Sequence, residues 1–261
     1  MSLQQRVPSF WDHDRISGIE AEGCAISPSL AGVMASPSGK GPHPALIVFM
    51  EAFGVNGYIR EIVRFLAGQG FLAIAPDLYG GAVYGYEDLQ GAIGQLAHLK
   101  DGKVLEQTGQ TLKYLSDRED VLSESIGAIG FCMGGRLTFL ALSEFPEQLK
   151  AGISFYGGST GIKGIDRLGR TGILERANTL TSPMLFFYGA KDPSILPEEH
   201  GRIAETLSQL NRTYFMSIFP DAGHGFFNWQ RDSFVSEAAT ESWEWTSLFL
   251  SRYLAKENRI R

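Results

Sequence analysis

Gly130-Phe131-Cys132-Met133-Gly134-Gly135 is the stretch that decides the fold. It stands between residues 125–129, a short apolar run typical of a buried strand, and residues 137–141, whose apolar positions have helical spacing. A strand that turns sharply into a helix strains the residue at the turn, and glycines two positions before and after it let neighbouring backbone approach. The Cys132 side chain then projects above the sheet at the helix N-terminus, where the helix dipole favours a thiolate.

The same alternation of strand and helix extends in both directions from this stretch. Apolar runs predict strands at residues 45–50, 71–75, 152–156, 184–188 and 214–219. Helical spacing predicts helices near residues 59–67, 104–115, 197–210 and 235–254. Strands that are apolar throughout are typical of a parallel sheet covered on both faces. The sequence therefore predicts an α/β fold with a mostly parallel central sheet and helices on both faces.

Three regions depart from this alternation. Residues 1–40 are irregular and are expected to add antiparallel edge strands, with Gly32-Val33-Met34-Ala35 the best candidate. Residues 79–102 and 157–172 are rich in glycine and follow predicted strands, so we expect both at the ligand-binding edge of the sheet, or as surface loops without function. No linker, repeat or low-complexity tract divides the chain, and we expect a single domain over residues 1–261.

Composition excludes several classes of protein. The chain has 23 Lys and Arg against 29 Asp and Glu, a net charge of −6 that lacks the footprint of a nucleic-acid binder. Its apolar runs are too short to cross a bilayer, and residues 1–6 lack the apolar core of a signal sequence, so we expect no membrane partner and a cytoplasmic location. Two cysteines make no disulfide framework, and no zinc or nucleotide motif predicts a metal or a cofactor. We expect a monomer or a small homo-oligomer.

A catalytic thiol needs a base and a group that orients the base. His224 lies in Pro220-Asp221-Ala222-Gly223-His224-Gly225-Phe226, directly after the last predicted strand. Asp192 follows the strand before it, whereas Cys24 has no comparable setting and is expected to be structural. The order nucleophile, acid, histidine is that of α/β-hydrolases. Three loops after three strands predict a nucleophile, its base and the base's orienting acid at one edge of the sheet.

Six stretches of the chain, from about residue 40 to about residue 255, carry a family resemblance. They are Glu51-Ala52-Phe53-Gly54-Val55-Asn56, Ala75-Pro76-Asp77-Leu78-Tyr79, Gly130-Phe131-Cys132-Met133-Gly134-Gly135, Tyr156-Gly157, Gly189-Ala190-Lys191-Asp192 and Gly223-His224-Gly225-Phe226. With them the chain resembles the dienelactone hydrolase family, a cysteine-nucleophile branch of the α/β-hydrolase fold. The resemblance implies hydrolysis of a small-molecule carboxylic ester or lactone without a cofactor.

The resemblance also implies roles for particular residues. The family's catalytic triad maps to Cys132, Asp192 and His224. Its oxyanion hole maps to the backbone N–H groups of Ala52 and Met133, which would meet the charge that develops on the attacked carbonyl oxygen. A buried glutamate that contacts the nucleophile and assists its activation maps to Glu51. The alternative for Glu51 is a carboxylate that only caps the following turn.

The chain departs from the family at the substrate. In dienelactone hydrolase two arginines bind the substrate carboxylate, and one lies four residues beyond the histidine, where this chain has Asn228. The other follows the Asp-Leu-Tyr motif, but no arginine occurs between Asp77 and Ser116. Arg231 could replace the first after a small loop shift. Loss of bidentate carboxylate binding is expected to weaken anionic substrates.

Two questions stay open from the sequence. Aromatic residues near the expected site could line an apolar pocket or pack in the core: Tyr79, Tyr84, Tyr156, Phe226 and Trp229. The fold could also serve a redox-sensing thiol at Cys132, although no resolving cysteine lies near it in the sequence, or a non-catalytic protein that binds carbonyl compounds.

Overall fold

The computed structural model describes residue 8 and residues 10–254, and its centre is one eight-stranded sheet. The strands are β1 (Glu22–Ser27), β2 (Leu30–Ala35), β3 (His43–Phe49), β4 (Leu72–Pro76), β5 (Val121–Phe131), β6 (Leu149–Phe155), β7 (Met184–Gly189) and β8 (Tyr214–Phe219). Their order across the sheet is β1-β2-β4-β3-β5-β6-β7-β8. Strands β3 to β8 are parallel, and β1 and β2 join antiparallel.

Helices pack against the sheet. They are α1 (His13–Ile16), α2 (Gly57–Gly68), α3 (Leu89–His98), α4 (Asp101–Ser116), α5 (Met133–Glu144), α6 (Pro197–Gln209) and α7 (Ser236–Tyr253), with a short 3₁₀ helix at Leu174–Asn178. Every residue of β4 and β7 is buried, because both faces of the central strands are covered. The predicted α/β fold with a mostly parallel central sheet is therefore confirmed.

The N-terminal part contributes two antiparallel strands, β1 and β2. The stretch predicted as an edge strand, residues 32–35, lies in β2, which pairs with β4 through Met34 and Ile74. β1, to which no particular residues were assigned from the sequence, forms the outer edge, and β2 lies inside it. The expectation for residues 1–6 falls outside the described residues. No helix in the described part of the chain is long and apolar enough to cross a membrane.

Helix α3 corrects the expectation for residues 79–102, which were predicted as loop because of their glycines. The Asp88 side chain caps the helix by accepting a hydrogen bond from the N–H of Gly91 at 2.9 Å. Ala92 and Leu96 are buried, so tertiary packing offsets the low helix propensity of Gly91 and Gly94. The segment is therefore partly helical where its composition indicated a loop.

The sheet register brings the carboxyl ends of the parallel strands together. Phe49 of β3 is paired with Gly130 of β5, and Phe131 with Phe155 of β6. Gly189 of β7 is likewise paired with Phe219 of β8. The residues that follow these strands therefore meet at one edge, which is where open α/β sheets bind ligands.

Candidate active site

Cys132 occupies the turn from β5 to α5 in a strained conformation. Its φ is 56° and its ψ is −120°, backbone angles that a residue with a Cβ rarely adopts. A Cβ at Gly130 would collide with the backbone of Gly134, and one at Gly134 would collide with the carbonyl of Phe49. Glycine is therefore required at both flanking positions, and the turn holds the thiol at the N-terminus of α5.

His224 and Asp192 form a hydrogen-bonded pair at the same edge. Nδ1 of His224 lies 2.7 Å from Oδ2 of Asp192. The other carboxylate oxygen of buried Asp192 accepts a hydrogen bond from the N–H of Ser194 at 2.8 Å. The N–H of Lys191 donates to the carbonyl of Ala222 at 2.9 Å and ties the two loops together. The imidazole orientation is therefore fixed by the acid and by the loop that carries it.

The thiol and the imidazole interact directly. Burial raises the pKa of the Cys132 thiol, but the charge of His224 and its hydrogen bond to the thiol outweigh burial, so the pKa is lowered. Burial lowers the pKa of His224, whereas the charge of Cys132 and the Asp192 hydrogen bond raise it, with a net value of about 10. The geometry therefore favours a thiolate paired with an imidazolium.

Glu51 lies fully buried beside this pair. Its Oε2 accepts a hydrogen bond from Nδ2 of Asn228 at 2.9 Å, and the same amide nitrogen lies 2.8 Å from the Tyr86 hydroxyl. Oε1 has no hydrogen-bond partner among the described residues. Burial raises the pKa of Glu51, and the charges of Arg231 and His224 offset this rise only in part. Burial thus makes ionisation of Glu51 unfavourable, and its carboxylate is close enough to Cys132 to raise the pKa of the thiol.

A cavity of about 590 Å³ opens next to the thiol. Ala52 and Met133, the two expected oxyanion-hole residues, line it together with Cys132 and His224. Its remaining lining residues come from α3, from residues 157–172, from the segment after Asp192 and from the loops after β3 and after His224: Phe53, Leu89, Ile93, Leu96, Gly158, Ser159, Asp166, Arg167, Leu168, Arg170, Pro193, Ser194, Ile195 and Arg231. The size suits a drug-sized ligand.

The six residues expected to bind substrate fall into separate environments. Arg231 lines the cavity, with its guanidinium carbon 5.5 Å from the centre of the Phe53 ring. Tyr156 is buried beside the site, with its ring 5.2 Å from that of His224. The others do not line the cavity; buried Tyr79 lies close enough to Cys132 to feel its charge, and half-buried Tyr84 packs against the core.

Phe226 and Trp229 lie in the core. Phe226 is fully buried against Phe219, and Trp229 packs on Trp11 with ring centres 4.5 Å apart. Both side chains therefore pack in the core, which is one of the two possibilities that the sequence left open. Their motif position alone could not show which way their rings point.

Sequence reasoning missed the residues that hold the cavity loop, residues 157–172. The guanidinium of buried Arg136 makes two hydrogen bonds to Asp101, at 2.7 and 2.9 Å, and donates to the carbonyls of Ser159 and Thr171. Oε1 of Glu199 accepts hydrogen bonds from the N–H groups of residues 160 and 161 at 2.8 and 3.0 Å. No sequence motif indicates these partners, since they lie between 23 and 39 residues away along the chain.

The fold and this site define the class: the protein is an α/β-hydrolase. The family model described as "Dienelactone hydrolase family" matches residues 30–254, so the chain belongs to the dienelactone hydrolase family. Its class of activity is hydrolysis of carboxylic esters or lactones. The resemblance that the six motifs indicated is thereby confirmed.

Relatives cover most of the chain. The Escherichia coli K12 protein named "Putative carboxymethylenebutenolidase" is 34% identical over 221 residues, 84% of this chain and 80% of that protein. The Synechocystis protein of the same name is 34% identical over 225 residues, 82% of this chain and 88% of that protein. A crystal structure from Klebsiella pneumoniae, titled as a "Putative Dienelactone Hydrolase", superposes with a TM-score of 0.82 at 31% identity and covers 90% of this chain and 100% of that one.

Proposed function

We propose that the protein hydrolyses a carboxylic ester or lactone with Cys132 as the nucleophile. The observation that carries this proposal is the hydrogen-bonded series from Asp192 through His224 to the Cys132 thiol, at the mouth of a cavity large enough for a substrate. A thiolate is the reactive form of cysteine, and a paired imidazolium favours it. A merely structural cysteine would not need a strained turn beside a half-buried histidine that is paired with a buried acid.

The proposed reaction has two halves. The Cys132 sulfur bonds to the substrate carbonyl carbon, and the carbonyl electrons move to oxygen, where the N–H groups of Ala52 and Met133 stabilise the oxyanion. The intermediate collapses, the C–O bond to the leaving group breaks, and His224 gives its Nε2 proton to the departing alkoxide. His224 then takes a proton from water, which attacks the thioester and releases the acid and the thiolate. Asp192 holds the imidazole in the tautomer that this transfer requires.

Glu51 has a separate proposed role in tuning the thiol. Its negative charge raises the pKa of Cys132 and therefore opposes the thiolate. A substrate that displaces or neutralises this carboxylate would make the thiolate more stable when it is needed. Support comes from the full burial of Glu51 and from Oε1, a carboxylate oxygen with no partner in the described structure. Its hydrogen bond to Asn228 fits the alternative, a residue that only fixes the local structure.

The proposal extends to esters and lactones but not to dienelactone itself. Asn228 stands where the family's carboxylate-binding arginine is expected, and its amide group is engaged by Glu51 and Tyr86. Arg231 lines the cavity, but its charge acts on buried Glu51. A screen of matched neutral and anionic lactones tests this point. We expect the neutral compounds to be turned over at least as well, and a marked preference for the anionic ones would contradict the expectation.

Replacement of the nucleophile tests the proposal directly. We expect Cys132→Ala to abolish turnover of p-nitrophenyl acetate while the circular dichroism spectrum is unchanged. Cys24→Ala is the matched control, since Cys24 is also half-buried but lies on β1. Mass spectrometry of the acid-quenched wild type is expected to show an acyl adduct on the peptide that contains Cys132. Full activity of Cys132→Ala would exclude this mechanism, and reversible oxidation of Cys132 without turnover would favour the redox-sensing alternative.

A cytoplasmic location and a monomeric or small homo-oligomeric state stay predictions. They rest on composition alone.

A further inference from the structure

One face of α3 forms an apolar wall of the catalytic cavity. Leu89, Ile93 and Leu96 all line the cavity, and their spacing of four and three residues places them on the same side of the helix. Their exposure decreases along this face: Leu89 is 52% exposed, Ile93 is half-buried and Leu96 is 6% exposed. The face therefore runs from the protein surface into the cavity, and it spans about 10 Å at 1.5 Å per residue.

Apolar groups continue from this face to the opposite rim. Leu168 of the cavity loop and Ile195 also line the cavity. Ile165 and Leu196, which adjoin the lining residues Asp166 and Ile195 in the chain, are 70% and 57% exposed. Among the exposed large hydrophobic side chains of the described residues, Leu89 itself lines the cavity. A grouping of this kind at a cavity mouth indicates a binding surface.

The charged side chains that line the cavity lie outside α3, and two of them, Asp166 and Arg170, form an ion pair. Nε of Arg170 lies 3.0 Å from Oδ2 of Asp166, and the Ser159 hydroxyl donates to the same oxygen at 2.6 Å. Arg231 lies over the rings of Phe53 and Tyr86, at 5.5 and 5.4 Å from their centres. Asp166 and Arg170 lie on the cavity loop, and Arg231 follows His224. None of these charged side chains therefore belongs to the α3 face. Arg167 also lines the cavity and is exposed.

We propose that the α3 face, Leu89, Ile93 and Leu96, binds an extended apolar chain on the acyl or the alcohol side of the ester. The chain lies along the helix from the thiol outward, and its distal end reaches the rim at Leu89. The substrate class is then esters with a medium-length alkyl or aryl-alkyl group rather than small compact lactones. This inference rests on the proposed ester hydrolysis at Cys132 and names the substrate class of that site.

The apolar surface that the substrate chain buries determines how strongly chain length affects kcat/KM. Each methylene group removed from water is worth about fourfold in binding, until the chain extends past the rim and additional methylenes stay in water. The apolar contacts are the same before and during the reaction, so they lower KM and leave kcat nearly constant. We therefore expect kcat/KM to rise with chain length and then to level off.

Two series of substrates, used below their critical micelle concentrations, test the inference. The first is p-nitrophenyl acetate, butyrate, hexanoate and octanoate, and the second is ethyl, butyl, hexyl and octyl acetate. A rise of at least about tenfold in kcat/KM along either series, carried by KM, supports the inference and identifies the side of the ester that α3 binds. A flat or falling profile in both series overturns it.

Variants on the helix test whether α3 is the surface responsible. We expect Leu89→Ser and Ile93→Ala each to lower the octanoate-to-acetate ratio of kcat/KM at least about threefold, or the corresponding octyl-to-ethyl ratio. Leu89→Met keeps an apolar side chain and is expected to retain the ratio. Leu248→Ser is the matched control, because Leu248 is 62% exposed on α7 and does not line the cavity. Equal effects of Leu89→Ser and Leu248→Ser would overturn the assignment.

The two proposals fail in different ways. Acetate turnover that depends on Cys132 but shows no chain-length effect overturns only the inference about α3. Acetate turnover that persists in Cys132→Ala overturns the proposed mechanism as well, because the cavity would then no longer be tied to the reaction.

Discussion

The imidazole of His224 lies 2.7 Å, Nδ1 to Oδ2, from the carboxylate of Asp192, whose side chain is 1% exposed. A carboxylate in this position keeps the proton on Nδ1, and Nε2 is then free to exchange a proton with the thiol. An amide at the same place can donate to Nδ1 and so favour the wrong tautomer. The pair is thus the orienting half of the proposed mechanism.

We expect Asp192→Asn to lower kcat for p-nitrophenyl acetate by about 100-fold or more. Steady-state kinetics measure this loss, with circular dichroism to verify folding. Asp221→Asn is the control: Asp221 lies three residues before His224 and pairs with Lys191 at 2.7 Å, but its side chain is 81% exposed. We expect that variant to stay within about twofold of wild type, as for other exposed ion pairs. Similar losses in both variants would contradict the orienting role.

The pH dependence of cysteine alkylation reports the coupling of Cys132 to His224. The lowered pKa of Cys132 means that its thiolate persists at a pH where an ordinary thiol is protonated. Burial raises the pKa of Cys24, so its thiolate forms only at higher pH. With iodoacetamide and peptide mass spectrometry, we expect Cys132 to reach half-maximal alkylation rate at lower pH than Cys24. His224→Gln is expected to move the Cys132 midpoint upward, and coincident midpoints in the wild type would contradict the coupling.

The rate of ester hydrolysis is expected to depend on pH through the same two groups, Cys132 and His224. Activity falls on the acid side as Cys132 gains a proton. On the alkaline side it falls near pH 10, since the His224 pKa is raised to about 10 and a neutral imidazole cannot protonate the leaving group. We expect kcat/KM for ethyl acetate, a substrate with a poor leaving group, to show both limbs. An alkaline limb near the ordinary pKa of histidine would contradict the pairing.

Glu51→Gln separates the two interpretations of Glu51. The substitution keeps the shape of the side chain and removes its charge, which raises the pKa of Cys132 in the wild type. We therefore expect the thiol pKa to fall further in the variant. If Glu51 takes part in activation, kcat also falls, by about tenfold or more.

The thiol pKa, followed by thiolate absorbance, and kcat are measured on the same preparation. Glu61→Gln is a suitable control, because Oε2 of Glu61 accepts a hydrogen bond from Gln230 at 3.0 Å away from the lining of the cavity. A lowered thiol pKa with unchanged kcat would leave Glu51 as a structural residue and would contradict the activating role.

The elements that position the site could be predicted because their sequence signals are local. Cys132 is flanked by glycines that the turn requires, and Asp192 and His224 follow β7 and β8, two strands made mainly of apolar residues. In a parallel sheet the carboxyl ends of strands meet, so position after a strand is sufficient to bring such residues to one edge. The convergence needs no knowledge of individual side-chain contacts.

The remainder of the site depends on contacts that sequence periodicity does not encode. Gly91 and Gly94 made the sequence of α3 look like a loop. The helix forms because Leu96 packs against the core. Phe226 and Trp229 follow the histidine as pocket residues would, yet their side chains point into the core. In both segments, the direction of each side chain depends on which side of the backbone faces the protein. A loop has no fixed period, so the sequence does not indicate that direction.

Arg136 is a buried cation whose hydrogen bonds hold the cavity loop. Its side chain is 1% exposed, and it bridges Asp101 at the start of α4 to the two ends of the cavity loop at Ser159 and Thr171. Arg136→Met leaves both carbonyls without their donor, whereas Asp101 still reaches water because its side chain is 36% exposed. We expect a loss of about 2 kcal/mol or more in the free energy of unfolding.

Urea unfolding measures this loss, and limited proteolysis tests where it acts. Arg176→Met is the matched control: Arg176 pairs with Glu144 at 3.0 Å, but the two side chains are 38% and 44% exposed. Removal of such a pair is expected to cost less than about 1 kcal/mol. Cleavage within residues 157–172 should become faster only in Arg136→Met, since only that variant releases the ends of the cavity loop. Equal stability losses, or cleavage that is unchanged in this loop, would show that Arg136 does not hold the cavity wall in place.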